Sequence, residues 1–160
     1  LIAYIAGILN SMVFDFLLRK RIYMNLNFFY IYETPFPDKL SDDIANRIAK
    51  TAARLSSPDE RFSEFAKVLK VDTGPLSMRE RINLSAELNA LVAEHYGLTR
   101  NDLQLVLQSF DGFKEEKELE KLKEVKWSDD LIRRLNGEVR KRVLPYFDSL
   151  ISQEIGVKSG

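Results

Sequence analysis

Residues 87–110, ELNALVAEHYGLTRNDLQLVLQSF, carry the clearest structural signal in this chain. Apolar residues recur at three- and four-residue spacing on both sides of Gly97, which is typical of amphipathic helices. Gly97 can adopt the left-handed cap conformation without a Cβ penalty, and the run Thr-Arg-Asn-Asp that begins at Thr99 can cap a following helix. The stretch therefore predicts two helices, over about 77–96 and 100–110, joined by a tight corner.

Helical periodicity continues through most of the chain outside this corner. Apolar residues predict a helix over 2–20 that is apolar on most faces, an amphipathic helix over 42–55 and a last helix over 129–152. Pro145 is expected to kink or break the last helix, because proline removes a helical hydrogen bond and clashes with the preceding turn. Together these patterns predict a mainly helical fold, a bundle of about five to six helices.

Two polar stretches interrupt the helical pattern. The first is Ser57-Pro58-Asp59-Glu60. Ser57 is expected to be the N-cap of a short helix, with Pro58 at its first position and Glu60 closing a capping box. The second is the run over 114–126, which is rich in lysine and glutamate. It could be an exposed helix stabilised by neighbouring opposite charges, or a mobile linker.

One segment favours a different secondary structure. Residues 25–32, NLNFFYIY, are rich in aromatic side chains that partly alternate, which predicts one strand. Pro35 and Pro37 would end it, because proline removes the donors of a strand ladder. A lone strand is not stable, so its partner is expected upstream of Leu1. The expected fold class is therefore mainly α, with one short strand or hairpin remnant near residues 25–32.

The composition is that of a globular chain with balanced charge. Its 160 residues are 45% apolar and 30% charged, which is enough for a real core. The 24 acidic and 24 basic residues cancel, so any nucleic-acid site must be a local patch. The absence of cysteine excludes disulfides and thiolate metal sites, and it fits a reducing, cytoplasmic location. The single histidine, His95, excludes a multi-histidine metal site.

The run Leu1–Leu18 is close to the length of a membrane span. Asn10, Ser11 and Asp15 interrupt it, and a charge near a bilayer centre costs about 2.5–3.5 kcal/mol. A buried helix without membrane contact is therefore predicted. The sequence starts at leucine instead of methionine, so the chain is interpreted as a piece of a longer protein. Its apolar helix could then pair in a homodimer or remain an exposed patch.

Two blocks of the sequence resemble one protein family. Residues 8–37, ILNSMVFDFLLRKRIYMNLNFFYIYETPFP, are similar to the end of the target-recognition region in large N6-adenine DNA methyltransferases. Residues 87–99, ELNALVAEHYGLT, resemble a helix–turn–helix element near the C-terminal ends of those enzymes. The family includes combined restriction–modification enzymes of type IIG and related phage-defence methylases. The resemblance implies that 1–37 ends a DNA target-recognition region and that 38–160 is a C-terminal helical region.

The same resemblance implies a role without chemistry for this chain. The parent enzymes use a glycine-rich loop for S-adenosylmethionine and an Asn-Pro-Pro-Tyr type motif for the flipped adenine, and this sequence contains neither. Base flipping requires a region that grips the DNA. The chain is therefore expected to help position double-stranded DNA and to support the catalytic methyltransferase domain of the same protein, with no cofactor of its own. The alternative is a helical scaffold or subunit-interaction module that touches DNA little.

The candidate DNA contacts lie in the first of these blocks. Arg19, Lys20 and Arg21 could neutralise phosphates, or they could form a solvated helix end that complements the helix dipole. Asn25 and Asn27 could read adenine edges, but asparagines beside a strand are also turn formers. Aromatic residues that could stack on an unpaired base, or else pack as core, are Tyr23, Phe28, Phe29, Tyr30 and Tyr32.

The remaining polar candidates are interpreted as structural. Pro58-Asp59 and Glu124-Val125-Lys126 match the metal motif of a nuclease in letters only, because the second pair does not lie in a strand-like sequence. His95 is interpreted as a helix-terminal histidine near the negative end of the helix dipole. The basic residues of the last helix could form a second DNA-contact strip, but a solvated face is predicted, since acidic neighbours dilute their charge; they are Arg133, Arg134, Arg140, Lys141 and Arg142.

Overall fold

The computed structural model describes residues 1–22, 27–37, 43–110 and 129–158, with side chains described for 135–153 of the last segment. All regular structure in these residues is helical, which confirms the predicted class. Eight α-helices are present in the described ranges, where five or six were expected. They are α1 (Ile2–Leu9), α2 (Met12–Arg19), α3 (Phe28–Glu33), α4 (Asp43–Leu55), α5 (Ser63–Leu69), α6 (Met78–His95), α7 (Arg100–Gln108) and α8 (Asp129–Lys158).

Helix α6 is the centre of the fold. It packs against α4 and α8, and it also contacts α1 and α2. Its middle turns contain fully buried residues, among them Ala90, Leu91 and Val92. Phe14 of α2 and Phe147 of α8 are the largest of the fully buried side chains. Residues from both predicted regions, 1–37 and 38–160, therefore contribute to one hydrophobic core.

The contact between α1 and α4 depends on small residues. Helix α4 presents buried alanines to its neighbours, and α1 lies against it at Gly7. A Cβ atom on Gly7 would lie 2.7 Å from Cγ2 of Ile48 and 3.2 Å from Cβ of Ala52. Carbon atoms pack favourably at about 3.5–4.0 Å, so only glycine permits this approach.

The corner at Gly97 forms as predicted. Gly97 has φ +70°, the left-handed conformation that ends α6. The amide of Gly97 donates to the carbonyl of Glu94 at 2.8 Å, and the amide of Leu98 donates to the carbonyl of Ala93 at 3.0 Å. Thr99 then begins α7 with a capping box in which its hydroxyl bonds the Asp102 carboxylate at 2.6 Å. Every predicted component of this helix–turn–helix outline is therefore confirmed.

The single helix predicted over 2–20 is instead two helices. Ser11 ends α1 by donating its hydroxyl to the Ile8 carbonyl at 2.7 Å, and it caps α2 by accepting the Phe14 amide at 3.1 Å. The two helices meet at a 60° bend. Within the described ranges no single helix is long and apolar enough to cross a membrane. Taken together, the bent pair of α1 and α2 has the length and the apolar composition of a membrane span. Both helices bury side chains in the core, as a buried segment was expected to do.

The strand expected over 25–32 is wrong, because residues 28–33 form α3 and no strand occurs in the described ranges. Asn27 is the N-cap, and its Oδ1 accepts the Tyr30 amide at 3.4 Å. Thr34 ends the helix and donates its hydroxyl to the Tyr30 carbonyl at 2.7 Å. A strand needs a neighbour for its backbone groups, whereas a capped helix satisfies most of them locally.

Three further expectations require correction or lie outside the described ranges. Ser57 is not an N-cap: it is buried and donates to the Ala53 carbonyl at 2.7 Å, while Asp59 caps the short 3₁₀ helix Glu60–Phe62. Pro145 does not break the last helix, since α8 continues from Asp129 to Lys158 with Pro145 inside it. The charged run over 114–126 lies outside the described residues.

Candidate nucleic-acid interface

The three consecutive cations lie at the C-terminal end of α2, where they are exposed. Arg19 closes the last turn and forms an ion pair with Asp15, one turn earlier, at 2.7 Å. Its guanidinium carbon also lies 4.8 Å from the ring centroid of Phe110, beyond the end of α7. The Arg19 side chain remains 60% exposed, so it can still reach a ligand, although its charge is locally balanced.

Lys20 and Arg21 have neutral partners. The Lys20 ammonium lies 5.1 Å from the ring centroid of Phe16, and Nη1 of Arg21 donates to the Glu33 carbonyl at 2.8 Å. An aromatic ring and a carbonyl orient a cation without cancelling its charge. These two side chains therefore keep their positive charge at the surface, and Arg21 ties the end of α3 to the end of α2.

Helix α3, which is tied to these cations through Arg21, exposes a set of aromatic rings. Phe28 is 74% exposed, Phe29 59% and Tyr32 82%. The rings of Phe28 and Tyr32, one helical turn apart, stack with centroids 6.4 Å apart and planes 28° apart. Three large exposed aromatic side chains on a six-residue helix form a patch of the kind that marks an interaction site. We call this combination of α3 and the Arg19–Arg21 cations the α2–α3 surface.

Asn27, which was predicted as a possible contact with adenine, instead has a structural role. Asn27 uses its Oδ1 atom to cap α3, so it serves the turn-forming role that was the alternative to base reading. A bidentate contact with adenine needs both the oxygen and the nitrogen of the amide. Asn25 and Tyr23 lie outside the described residues.

The two blocks that carry the family resemblance are hydrogen-bonded to each other. The Met12 amide, at the start of α2, donates to Oδ1 of Asn89 on α6 at 2.7 Å. The Tyr96 hydroxyl, at the end of α6, donates to the Pro35 carbonyl at 2.9 Å. Burial, and to a lesser extent repulsion between the ionised forms of Tyr96 and Tyr4, raises the pKa of Tyr96, so the phenol stays protonated and able to donate. The segment after α3 is thereby fixed to α6.

His95 takes part in the same junction. Its Nε2 lies 2.9 Å from the buried Tyr4 hydroxyl, and the two rings meet edge to face with centroids 5.7 Å apart. The Tyr4 hydroxyl is also 3.3 Å from the Pro37 carbonyl. This packing role agrees with the structural interpretation of His95 as the last residue of α6.

The other polar candidates have local partners where the structure describes them. Asp59 forms an ion pair with Arg61 at 2.7 Å, while Glu124 and Lys126 lie outside the described residues. On α8, Lys141 and Arg142 both lie close to Glu138. In the described part of the chain no three histidine or acidic side chains are grouped so that they could hold a metal ion.

Sequence reasoning missed one grouping of cations. Arg81 of α6 and Arg140 of α8 line the same cavity as Arg19 of α2. No spacing rule could have connected residues so far apart in sequence, because only the packing of α2, α6 and α8 brings them together.

Searches of the chain against protein-family models, curated proteins and solved structures find no match. Any functional assignment therefore depends on the chemistry of the side chains that the structure exposes.

Proposed function

We propose that this chain is a non-catalytic helical module of an adenine-specific DNA methyltransferase of the restriction–modification type. In this role it helps to position double-stranded DNA and supports the catalytic domain of the same protein in the cytoplasm. The observation that carries the proposal is the α2–α3 surface, where exposed cations end α2 and one of them, Arg21, is hydrogen-bonded to the end of the helix that exposes the aromatic rings. Cations that neutralise phosphates and rings that stack on bases are the two recurring elements of nucleic-acid surfaces.

Each part of this surface has a separate task in the proposal. Lys20 and Arg21 keep their charge and contact phosphates, which gives affinity without sequence preference. The rings of Phe28 and Tyr32 offer a flat apolar face to a base that is unpaired when its partner is flipped out. Methyl transfer, with S-adenosylmethionine and the adenine-binding motif, belongs to the catalytic domain.

The link between the two resembling blocks supports the scaffold part of the proposal. The first block includes the cations and α3, and the second is the C-terminal part of α6 and the corner after it. The Met12–Asn89 and Tyr96–Pro35 hydrogen bonds join them. A DNA-positioning surface must be held by a rigid element, and α6 packs against α1, α2, α4 and α8 in the described core.

A second candidate function rests on a different exposed face. Helix α1 and its N-cap leave apolar side chains open, with Leu1 77%, Ile2 79%, Ile5 36% and Leu9 40% exposed. Exposed apolar residues next to one another are typical of surfaces that bind another protein. The module could therefore act mainly through contact with the catalytic domain, or through a homodimer at α1, with little DNA contact.

Fluorescence anisotropy with a labelled duplex tests the DNA role. The variant Arg19→Ala, Lys20→Ala, Arg21→Ala removes the cations of the α2–α3 surface. If three phosphates are neutralised, the plot of log affinity against log salt has a slope of about −2 to −3, which the variant loses. The matched control is Lys50→Ala, Arg61→Ala, Lys67→Ala, which changes the net charge equally on exposed residues in and between α4 and α5.

Three results would reject the DNA role. They are no binding at low salt, an unchanged slope in the surface variant, and an equal loss of affinity in the control variant. Analytical ultracentrifugation of the same proteins addresses the second candidate. A dimer that Ile2→Glu disrupts would favour an interaction module.

A further inference from the structure

Helix α7 has an exposed face without charged side chains. Its opposite, buried side includes Leu103, Val106 and Leu107. On the exposed side, residues recur at positions i, i+3, i+4 and i+7, which places them in one stripe along a helix. We call this set the α7 stripe, and its members are Asn101, Gln104, Leu105 and Gln108. Every polar side chain of the stripe is therefore a primary amide.

An uncharged exposed face is unusual in this protein. The chain as a whole is 30% charged. Solvated helix faces normally carry charged side chains, because charges keep a surface soluble. The exposed positions of α4 and α5 follow this rule, with Asp43, Lys50, Glu64 and Lys67. Solubility therefore does not explain why amides occupy the exposed face of α7, whereas hydrogen bonding to a partner would explain it.

The amide groups of the α7 stripe are available to a ligand. In the described part of the chain, no hydrogen bond or ion pair involves the side chains of Asn101, Gln104 or Gln108. Asn89 of α6 shows the contrasting case, since its amide is buried and holds the start of α2. Each amide of the stripe therefore keeps an oxygen acceptor and two N–H donors for a ligand.

An amide with both of its polar atoms available can make the bidentate contact that identifies adenine. Its N–H donates to N7 of adenine and its oxygen accepts from the N6 amino group, and both groups lie on the major-groove edge. An apolar side chain such as Leu105, which is 63% exposed, can contact the thymine methyl group on the same edge. The stripe spans about 10 Å of helix, which corresponds to about three base pairs. Its chemistry and its length therefore suit a short A·T-rich block.

The position of α7 in the fold suits entry into a major groove. The short corner at Gly97 that joins α6 to α7 is the type of connection found in DNA-binding helix–turn–helix motifs, whose second helix lies in the groove. Helix α7 has a single cation, Arg100, which pairs with Asp148 at 2.8 Å. The phosphate contacts would therefore come from α2, since Arg19 lies against the ring of Phe110 just beyond the end of α7.

We propose that α7 is a base-reading helix, which enters the major groove of double-stranded DNA and selects A·T pairs through the amides of the α7 stripe. Leu105 would then contact a thymine methyl group. This role rests on the proposed DNA-positioning function and adds sequence selectivity to it. The cations of the α2–α3 surface supply affinity for any sequence, while the α7 stripe distinguishes one sequence from another.

Selection from a pool of duplexes with a randomised central segment tests the base-reading role. Duplexes bound by the 160-residue chain are separated on a native gel and sequenced, and affinities are measured by fluorescence anisotropy. We expect a preferred block of about three A·T-rich base pairs. Loss of one bidentate contact in Gln104→Ala or Gln108→Ala is expected to weaken binding of the preferred duplex about 5–100-fold. Binding of the unselected pool should stay within about 2-fold of wild type, because phosphate contacts are unchanged.

A base analogue identifies the groove that α7 enters. Replacement of adenine by 7-deaza-adenine removes the N7 acceptor from the major groove and leaves base pairing intact. The analogue should weaken binding by wild type and add nothing to the loss already caused by the variant that lacks the matching amide. The matched control is Gln153→Ala, which removes an exposed glutamine amide of α8 and should behave as wild type with both bases.

The outcomes separate this role from the proposed function. Alanine is the best helix former, so thermal melts should show that the exposed α7 variants fold as wild type does. Salt-dependent binding of all duplexes without preference would overturn the base-reading role and leave the proposed function intact. A preference that survives the triple variant Asn101→Ala, Gln104→Ala, Gln108→Ala would do the same. No binding of any duplex at low salt would overturn both.

A protein contact is the other use that an exposed helix face can have. Analytical ultracentrifugation of wild type and Leu105→Glu detects it as self-association that the substitution removes. If this occurs while every α7 variant binds DNA as wild type does, the α7 stripe is an interface between two copies of the chain and the base-reading role is overturned.

Discussion

Gly7→Ala is expected to destabilise the protein, although alanine is the better helix former. In an exposed helix interior this substitution gains about 1 kcal/mol. At position 7 the new Cβ would lie 2.7 Å from Cγ2 of Ile48, 3.2 Å from Cβ of Ala52 and 3.3 Å from Cδ1 of Leu88. The first distance is roughly 1 Å inside the favourable separation of two carbon atoms. Overpacking of a dense core costs about 1–3 kcal/mol.

Two features place the cost near the upper end of that range. Ile48 is fully buried and β-branched, so its Cγ2 atom cannot rotate away without an unfavourable rotamer. Ala52 offers no flexible side chain, and relief there requires α1 and α4 to separate. The net loss is therefore about 1–2 kcal/mol, after the gain in helix propensity. For a chain of this size it corresponds to a decrease in Tm of roughly 2–8 °C.

Urea denaturation followed by circular dichroism at 222 nm measures this loss. Gly137→Ala is the matched control, because Gly137 lies within α8 and a Cβ there would meet no atom within 4 Å. The control should stabilise the protein by about 0.5–1 kcal/mol. In a background of Ile48→Ala, where Cγ2 is absent, Gly7→Ala should cost clearly less than in the wild type, because only the contacts with Ala52 and Leu88 remain. Equal stabilisation by both glycine substitutions in the wild-type background would refute the close-packing account of Gly7.

Three other substitutions are expected to destabilise the protein, each for a different physical reason. Gly97→Ala places a Cβ at φ +70° and should cost about 1–2 kcal/mol in urea denaturation. Asn89→Leu leaves the partly buried Met12 amide without its acceptor and should cost about 1–3 kcal/mol, with a slower-migrating, partly unfolded population on a urea gradient gel. Thr99→Ala removes the capping box and should lower Tm by roughly 2–4 °C at pH 7. The hydrogen bond from the Thr99 hydroxyl lowers the pKa of Asp102 in the folded protein below its usual value of 3.8. The stabilisation from the capping box is therefore fully present above pH 3.8. It should disappear as the pH falls through the lowered pKa of the folded state, where Asp102 becomes protonated.

Local signals predict the parts of the fold that local interactions determine. Gly97 needs only its own conformational freedom, and the cap at Thr99 needs only residues within one turn, so both could be predicted from the sequence. Ser11 shows the limit of the same approach. A serine inside an apolar run is compatible with a continuous helix, and the bend there is held by the Met12–Asn89 hydrogen bond across 77 residues. That partner could not be identified from spacing.

The strand prediction for the aromatic segment is wrong for a related reason. Its composition is typical of strands because strands usually place such side chains in a half-buried sheet. Here no neighbouring strand is present in the described ranges, and Asn27 supplies a cap that makes a short helix possible. The rings of Phe28, Phe29 and Tyr32 therefore face solvent, where they contribute little to folding, whereas Tyr30 packs partly against the core. Of the two roles that the sequence allowed, the exposure of these three rings favours contact with a ligand over core packing.

The candidate site was predictable only in part. The Arg19–Arg21 cations are recognisable because they are consecutive and end an apolar run. Their distant partners were not predictable, since Phe110 and Glu33 come from other elements, whereas Asp15 and Phe16 lie one helical turn from their cations. The convergence of Arg81 and Arg140 at the cavity depends on how α6 and α8 pack, and no local pattern in the sequence records that arrangement.

The way in which α2 and α3 are held suggests how the surface could accommodate DNA. Helix α2 is fixed at both ends, at its start by Asn89 of α6 and at its last turn by the ring of Phe110. Helix α3 has no fully buried residue and is tied mainly at its end, through Arg21 and the neighbouring Tyr96–Pro35 bond. Phosphate contacts from α2 would therefore be presented in a fixed register, whereas the rings of α3 could adjust to a base. Positioning of DNA requires rigid cations that fix the register of the duplex. It also benefits from aromatic rings that can adjust to a base, and α2 and α3 would supply these two elements.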